Sequence, residues 1–397
     1  MNRFSICKKS CRVIYTVTLF CFFISSCRTV NTSSSAAVVA SSHPSVTELS
    51  LRFWQIANAE TEKTDNVWLS PVSIAMAMQS VCEGAAGETR AELLQVTTDF
   101  RPAVSEQLKI ADALFVQPNI PIKTAYEKRM RDLGADLYRQ PITVEAVNRW
   151  ASDHTNGKIT KVLDNPLAGD IKMVIANAIY FCGEWSDPFN EHATHPEPFF
   201  IDRNTQVRIP MMCRTGYMNY FSTDVAQVVT LYYAIKESDQ EDAPRYAMTI
   251  ILPNEQITAD SLLSSLAPTQ LDEWLQQSGS QRIRLQLPKL TVRFDRVLNE
   301  DLRQMGVRKA LNPTEADFTA MSSVPLVIDM VKQSSYLRMD ERGTEAAAVT
   351  VAAMRATSVW REDRPTNMIV NRPYLLVLQE VGSHAPLFVG TIHNPQE

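Results

Sequence analysis

Glu341-Arg342-Gly343-Thr344-Glu345-Ala346-Ala347-Ala348-Val349-Thr350-Val351-Ala352-Ala353-Met354 is a conformationally undecided stretch. Its alanines favour a helix, while Val349-Thr350-Val351 behind them favours a strand. Laid out as a strand, Thr344, Ala346, Ala348, Thr350, Ala352 and Met354 share one face, and all are small or apolar. Glu345, Ala347, Val349, Val351, Ala353 and Arg355 share the other face, which takes both charges. No proline interrupts the ladder, and Gly343 at the base supplies a hinge. These are the faces of a strand that slides into the middle of a sheet with its small side on the core. An ordinary central strand or a helix are the alternatives that composition leaves open.

Outward from this stretch, helical patterns crowd the first third of the chain and strand patterns follow. Val46, Leu49, Phe53, Ile56 and Ala57 recur at helical spacing. Ser70-Pro71 reads as an N-cap with proline at the first helical position, opening an apolar helix to about Cys82. Thr143 to Thr155 is another helix, closed by Gly157. Lys172 to Phe181 reads as a long buried strand and Met248 to Leu252 as a short one. Arg282 to Leu287 alternates as a half-exposed strand should, and Tyr374–Leu378 with Leu387–Ile392 form a closing pair turned at Gly382. Helices first and strands later predict an α+β domain over residues 46–397, without linker or repeat.

The bulk numbers agree with a globular protein: 45% hydrophobic, 21% charged and 8% aromatic residues in 397. The net charge of −5 becomes −9 once residues 1–26, holding Arg3, Lys8, Lys9 and Arg12 and no acid, are removed. That excess of acid gives no electrostatic basis for binding nucleic acid. No nucleophile elbow, metalloprotease helix or phosphate loop appears, so no catalytic residue is assigned and the chain is not expected to be an enzyme. His192 and His195 lie between Pro188 and Pro196 with no third ligand nearby, so no metal and no cofactor is expected.

Residues 1–26 read as a signal peptide: Lys8, Lys9 and Arg12, then the apolar run Val13 to Ile24, too short to span a bilayer. Ile24-Ser25-Ser26-Cys27 resembles a bacterial lipoprotein cleavage box, in which Cys27 becomes the lipidated first residue. Residues 27–45 then form a Ser-rich tether to a membrane at the cell envelope, either the outer membrane or the cell surface. Plain secretion is the alternative. Cys82, Cys182 and Cys213 remain in the folded part and read as buried free thiols, with one disulfide among them left open.

Glu341 to Ala348 resembles the hinge of the reactive loop in the serpin family. Separate blocks agree, in the family's order over residues 46–397. Ser70-Pro71-Val72-Ser73-Ile74-Ala75 is similar to the helix beneath the opening of the central sheet. Asn148-Arg149-Trp150 with Thr155 to Ile159 resembles the helix lying across that sheet. Asn177 to Phe181, then Gly183, Trp185, Pro188 and Phe189, resembles the strand and breach tryptophan. Leu287-Pro288-Lys289-Leu290, Asp301 to Gly306, Asn371-Arg372-Pro373-Tyr374, Leu387 to Gly390 and Asn394-Pro395 fit as well.

The resemblance implies a serpin-like fold, with a large central mixed sheet, further sheets and an exposed reactive-centre loop at about 341–365. It also implies a suicide mechanism: a serine protease attacks the loop, forms an acyl-enzyme, and is dragged along as Thr344 onward inserts as a new strand. Ladder bonds worth ~0.5–1.5 kcal/mol net each over roughly ten residues supply on the order of 10 kcal/mol. Losing one oxyanion-hole donor slows deacylation about a hundredfold or more. The reactive bond falls at Thr357–Ser358, suited to elastase-like or subtilisin-like proteases, with Arg355 and trypsin-like enzymes as the rival. Papain-like cysteine proteases are a further partner class, and the inhibitor is expected to act as a monomer.

The hinge comprises Glu341, Gly343, Thr344, Glu345, Ala346, Ala347 and Ala348, the sheet-opening cluster Ser70, Ser73, Asn177 and Gln333, and the breach Trp185. Two departures stand out. Gln333 occupies the place where many members have histidine, and is expected to bond Ser73 or Asn177 instead. The segment from the hinge to Pro373 is also several residues longer than is usual. A non-inhibitory binding or chaperone scaffold is the alternative function, and Ala346 to Val349 argue against it.

Overall fold

The helix start at Ser70-Pro71 and the helix end before Gly157 fall where the sequence marks them. The computed structural model describes residues 43–103, 105–235, 245–344 and 364–396. Among them are eight α-helices and sixteen strands, in the order α1 (Val46–Glu60), β1 (Val67–Leu69), α2 (Pro71–Cys82), α3 (Gly87–Leu94), β2 (Leu108–Val116), α4 (Thr124–Asp132), β3 (Asp136–Arg139), α5 (Val144–His154), β4 (Met173–Phe181) and β5 (Gly183–Glu184). Then come β6 (His195–Phe200), β7 (Gln206–Ser222), β8 (Ala226–Tyr232), β9 (Tyr246–Pro253), α6 (Ala259–Ser265), α7 (Pro268–Gln276), β10 (Ser280–Pro288), β11 (Leu290–Val297) and α8 (Asn299–Gln304). The chain closes with β12 (Met330–Met339), β13 (Gly343–Thr344), β14 (Thr366–Ile369), β15 (Tyr374–Glu380) and β16 (Pro386–Ile392). Ser70 caps α2 by accepting from Ser73 N at 3.3 Å, with Pro71 at the first position. Thr143 caps α5, which ends where Gly157, at φ +74°, donates its N–H to Ser152 O.

The strands form two sheets. A nine-stranded sheet runs β1-β16-β15-β9-β8-β7-β10-β14, with β6 on β7. A seven-stranded sheet runs β3-β2-β4-β12-β13-β5, with β11 on β12. Its centre is the parallel seam between β4 and β12, where Val174 to Tyr180 face Met330 to Tyr336. The seam is covered on both sides, which is why β4 is apolar almost throughout and buried along its whole length. On one face α5 lays Val147, Trp150 and Ala151 over Ala111, Ala113, Ala176 and Ala178, small residues that let the helix sit close. On the other, Ile175 and Ile179 join the main core that holds Ile74 and Met78 of α2.

Some expectations are adjusted. Met248–Leu252 is the middle of an eight-residue buried strand, lengthened because β8 and β15 pair with it from both sides. Helices and strands are less segregated than the pattern suggested: β2 lies in the first third, its alternation obscured by Ala111 and Ala113 on the face beneath α5. The β15–β16 turn places its left-handed residue at His384, φ +56°, and not at Gly382. Of the three free thiols only Cys82 is buried; Cys182 and Cys213 are partly exposed. His192 and His195 are both exposed, in a short 3-10 turn and at the start of β6.

Candidate functional site

Two groups of side chains hold the seam between β4 and β12. The first lies midway, on the α2 face. Gln333 on β12 accepts from Ser70 N through Oε1 at 3.0 Å, and its Nε2 donates to Ser70 O at 3.0 Å and to Asn177 Oδ1 at 2.6 Å. Asn177 Nδ2 donates in turn to Ser73 Oγ and to Asp112 Oδ1. Ser70 Oγ donates to Leu387 O at 2.6 Å. Ser70, Ser73 and Asn177 are wholly buried and Gln333 almost so. The four residues named from sequence therefore do converge. Of the two partners expected for Gln333, Asn177 is met directly and Ser73 only through Asn177. In a dry site such bonds are costly to leave unmade, so the cluster pins β4, β12 and α2 together.

The second group lies at the top, where β4 runs on into β5 and diverges from β12. Asp340 and Gly343 exchange backbone bonds at 2.9 and 3.3 Å, turning the chain at Glu341-Arg342 into a tight hairpin. Thr344 pairs with Met339 on one side and with Gly183 on the other, so β13 is a two-residue strand lodged between β12 and β5. Gly343 is required by approach as much as by hinging: a Cβ there would lie 2.1 Å from Gly183 O. Thr344 is fully buried and its hydroxyl bonds Tyr233 OH at 2.6 Å.

Trp185 stacks on Tyr233 at 4.4 Å, donates Nε1 to Asp340 O at 2.9 Å, and donates its backbone N–H to Arg342 O at 2.8 Å. Glu341 is 5% exposed. Burial opposes its charge, yet Lys289 Nζ at 2.7 Å and the Thr194 hydroxyl at 2.7 Å hold the carboxyl below its ordinary range.

Sequence reasoning placed Glu341, Gly343, Thr344 and Trp185 but missed what they rest on: Tyr233, Thr194, Lys289 and Gly183 as a contact surface. It also missed Asp112, whose only signal is a lone acid inside the mainly apolar run Ile110 to Val116. Glu345, Ala346, Ala347, Ala348, Arg355, Thr357, Ser358 and Cys27 lie outside the described residues.

A family model described as serpin (serine protease inhibitor) matches residues 44–395. An alpha-1-antitrypsin-like protein of Tamias sibiricus is 27% identical over 384 residues, covering 89% of each chain. An uncharacterised serpin-like protein of Thermococcus kodakarensis is 27% identical over 84% of this chain and 82% of its own length. Among solved structures, the thermophilic serpin tengpin in the native state aligns with a TM-score of 0.77 at 22% identity, over 88% of this chain and 93% of its own. Human thyroxine-binding globulin bound to its hormone aligns with the same TM-score at 21% identity, over 89% and 98%.

Proposed function

Because this chain belongs to the serpin family, we propose that it is a suicide inhibitor that traps serine proteases covalently by inserting its cleaved loop into the seven-stranded sheet. The observation that carries the reading is β13. The first residues of the loop already lie between β12 and β5, at the mouth of the seam that insertion has to open. Carrying the Met339–Thr344 pairing down β12 brings Ala346 opposite Leu337, Ala348 opposite Ser335, Thr350 opposite Gln333 and Ala352 opposite Val331. Leu337 and Val331 belong to the main core, so the small face of the loop meets the buried face of the sheet. The same register brings Ala353 level with Met330, where β12 begins. Cleavage a few residues further on, at Thr357–Ser358, leaves a strand of the right length, and Arg355 leaves one slightly shorter.

The test is direct. Residues 46–397 are mixed with an elastase, a subtilisin and a trypsin, run on denaturing gels, and the released C-terminal peptide is weighed. A covalent complex with a peptide starting at Ser358 supports the trap and its bond. Loop cleavage without any complex overturns the trap and moves the chain to a binding scaffold.

The address at the N-terminus extends the proposal. Residues 1–26 direct export, lipidated Cys27 tethers the inhibitor to a bacterial envelope, and the inhibitor shields that surface from proteases of a host or neighbour. Mass spectrometry of the mature N-terminus decides this: an unlipidated chain starting beyond Cys27 removes the tether.

A further inference from the structure

We propose that Asp112 is a charge gate on the seam between β4 and β12, a positioning residue that acts through Asn177; the proposal rests on that seam being the one that opens. Asp112 stands directly opposite Asn177 in the β2–β4 register and accepts from its Nδ2 at 2.5 Å. The same amide gives its other Nδ2 proton to Ser73 on α2 and receives Gln333 Nε2 from β12. One side chain on β4 thus ties Asp112 across the seam to β12 and beneath it to α2.

The surroundings offer the carboxylate little. α2 and β4 carry no Asp, Glu, Lys, Arg or His. The titratable groups of α2 and β4 are Cys82, in the last turn of α2, and Tyr180, which alternation sends to the α5 face. From β3 comes Asp136, paired on the α5 face with His154 at 3.2 Å. The loop after α3 brings Arg101, exposed and donating to the Thr98 and Phe100 carbonyls. Burial pushes Asp112 up to about 7, against the Asn177 hydrogen bond and the attraction of Arg101 and with the repulsion of Asp136.

The direction follows from linkage. The folded value lies above the unfolded one, so the closed native state holds a proton that the opened or unfolded chain releases between about pH 4 and 7. The closed seam is therefore most secure in mild acid and loosens as pH rises through 7, when the ionised carboxylate gains from water what Asn177 alone does not give it.

Hydrogen exchange of the full chain tests this, with β15–β16 amides as an internal reference. Relative to that reference, protection of the β4 and β12 amides should fall by up to about thirty-fold from pH 5.5 to 8.5 in the natural chain. It should stay flat in Asp112→Asn and fall again in Asp112→Glu, which restores an ionisable group. Parallel profiles in the natural chain and Asp112→Asn overturn the gate, and should neither variant fold, a flat profile in the natural chain alone does so. No protease takes part, so the two readings fail separately. Absent covalent complexes with the profile intact would overturn the trap alone.

Discussion

The top and the middle of the seam between β4 and β12 are closed by different physics. At the top, a charge pair, a stacked Trp185–Tyr233 couple and a glycine-to-glycine approach grip a strand that has already begun. In the middle, neutral hydrogen bonds from Gln333 and Asn177 hold together two strands with nothing between them. Charge and close packing are hard to exchange for anything else. Neutral hydrogen bonds are worth only about 0.5–1.5 kcal/mol net and are readily replaced by the ladder bonds of an entering strand. Under the proposed mechanism, a seam built this way would start insertion at a fixed point and yield further down.

The largest effect should come from filling the yielding part with a charge. Ala348→Glu would bring a carboxylate opposite Ser335 on the buried face, at a cost of several kcal/mol. We expect covalent complexes to fall about a hundredfold while loop cleavage continues, and densitometry of denaturing gels reads both. Unchanged inhibition would mean that the other face of the loop is the buried one.

Next is the cluster itself. Gln333→Leu removes three bonds and leaves the Ser70 N–H without its acceptor, while Ser70 O keeps the Ile74 N–H. Stability should drop by about 2–4 kcal/mol, seen in the denaturant midpoint. A change within a few tenths of a kcal/mol would show that the middle is held by apolar packing instead.

At the top, Gly343→Ala places a methyl group against Gly183 O and should cost about 1–3 kcal/mol as β13 is forced outward. Loss of the near-ultraviolet signal from the Trp185–Tyr233 stack reports it, and a retained signal would argue that the hairpin simply shifts. The smallest effect is expected from Lys289→Ala, about 1–2 kcal/mol at pH 7 because the ammonium is partly exposed. The Glu341 carboxyl is held below its ordinary value of 4.5, so this contribution is present above that pH and disappears as pH falls through the lower folded value. Melting curves of both proteins should therefore converge as pH falls well below 4.5; a constant gap would make the loss one of packing.

Much of this was legible from residues alone, and for local reasons. Ser70-Pro71 caps α2 through a bond to its own next turn and Gly157 closes α5 the same way, so their neighbours in sequence suffice to read them. The pattern of Thr344 to Met354 carries its two faces with it wherever it goes. Gln333 and Asn177 were placed in one cluster by resemblance, and the structure adds that Gln333 grips the Ser70 backbone, which no side-chain pattern announces.

What the sequence by itself determined is therefore the capped helices, the long buried strands and the small-faced pattern of Thr344 to Met354, all of which rest on short spacings, and, through the resemblance of separate blocks, the family. Only the tertiary structure decided that Lys289 and Thr194 bond the Glu341 carboxylate, that Gly343 must meet Gly183, and that Asp112 stands opposite Asn177. Those contacts join strands far apart along the chain, and sheet register, not local propensity, brings them together.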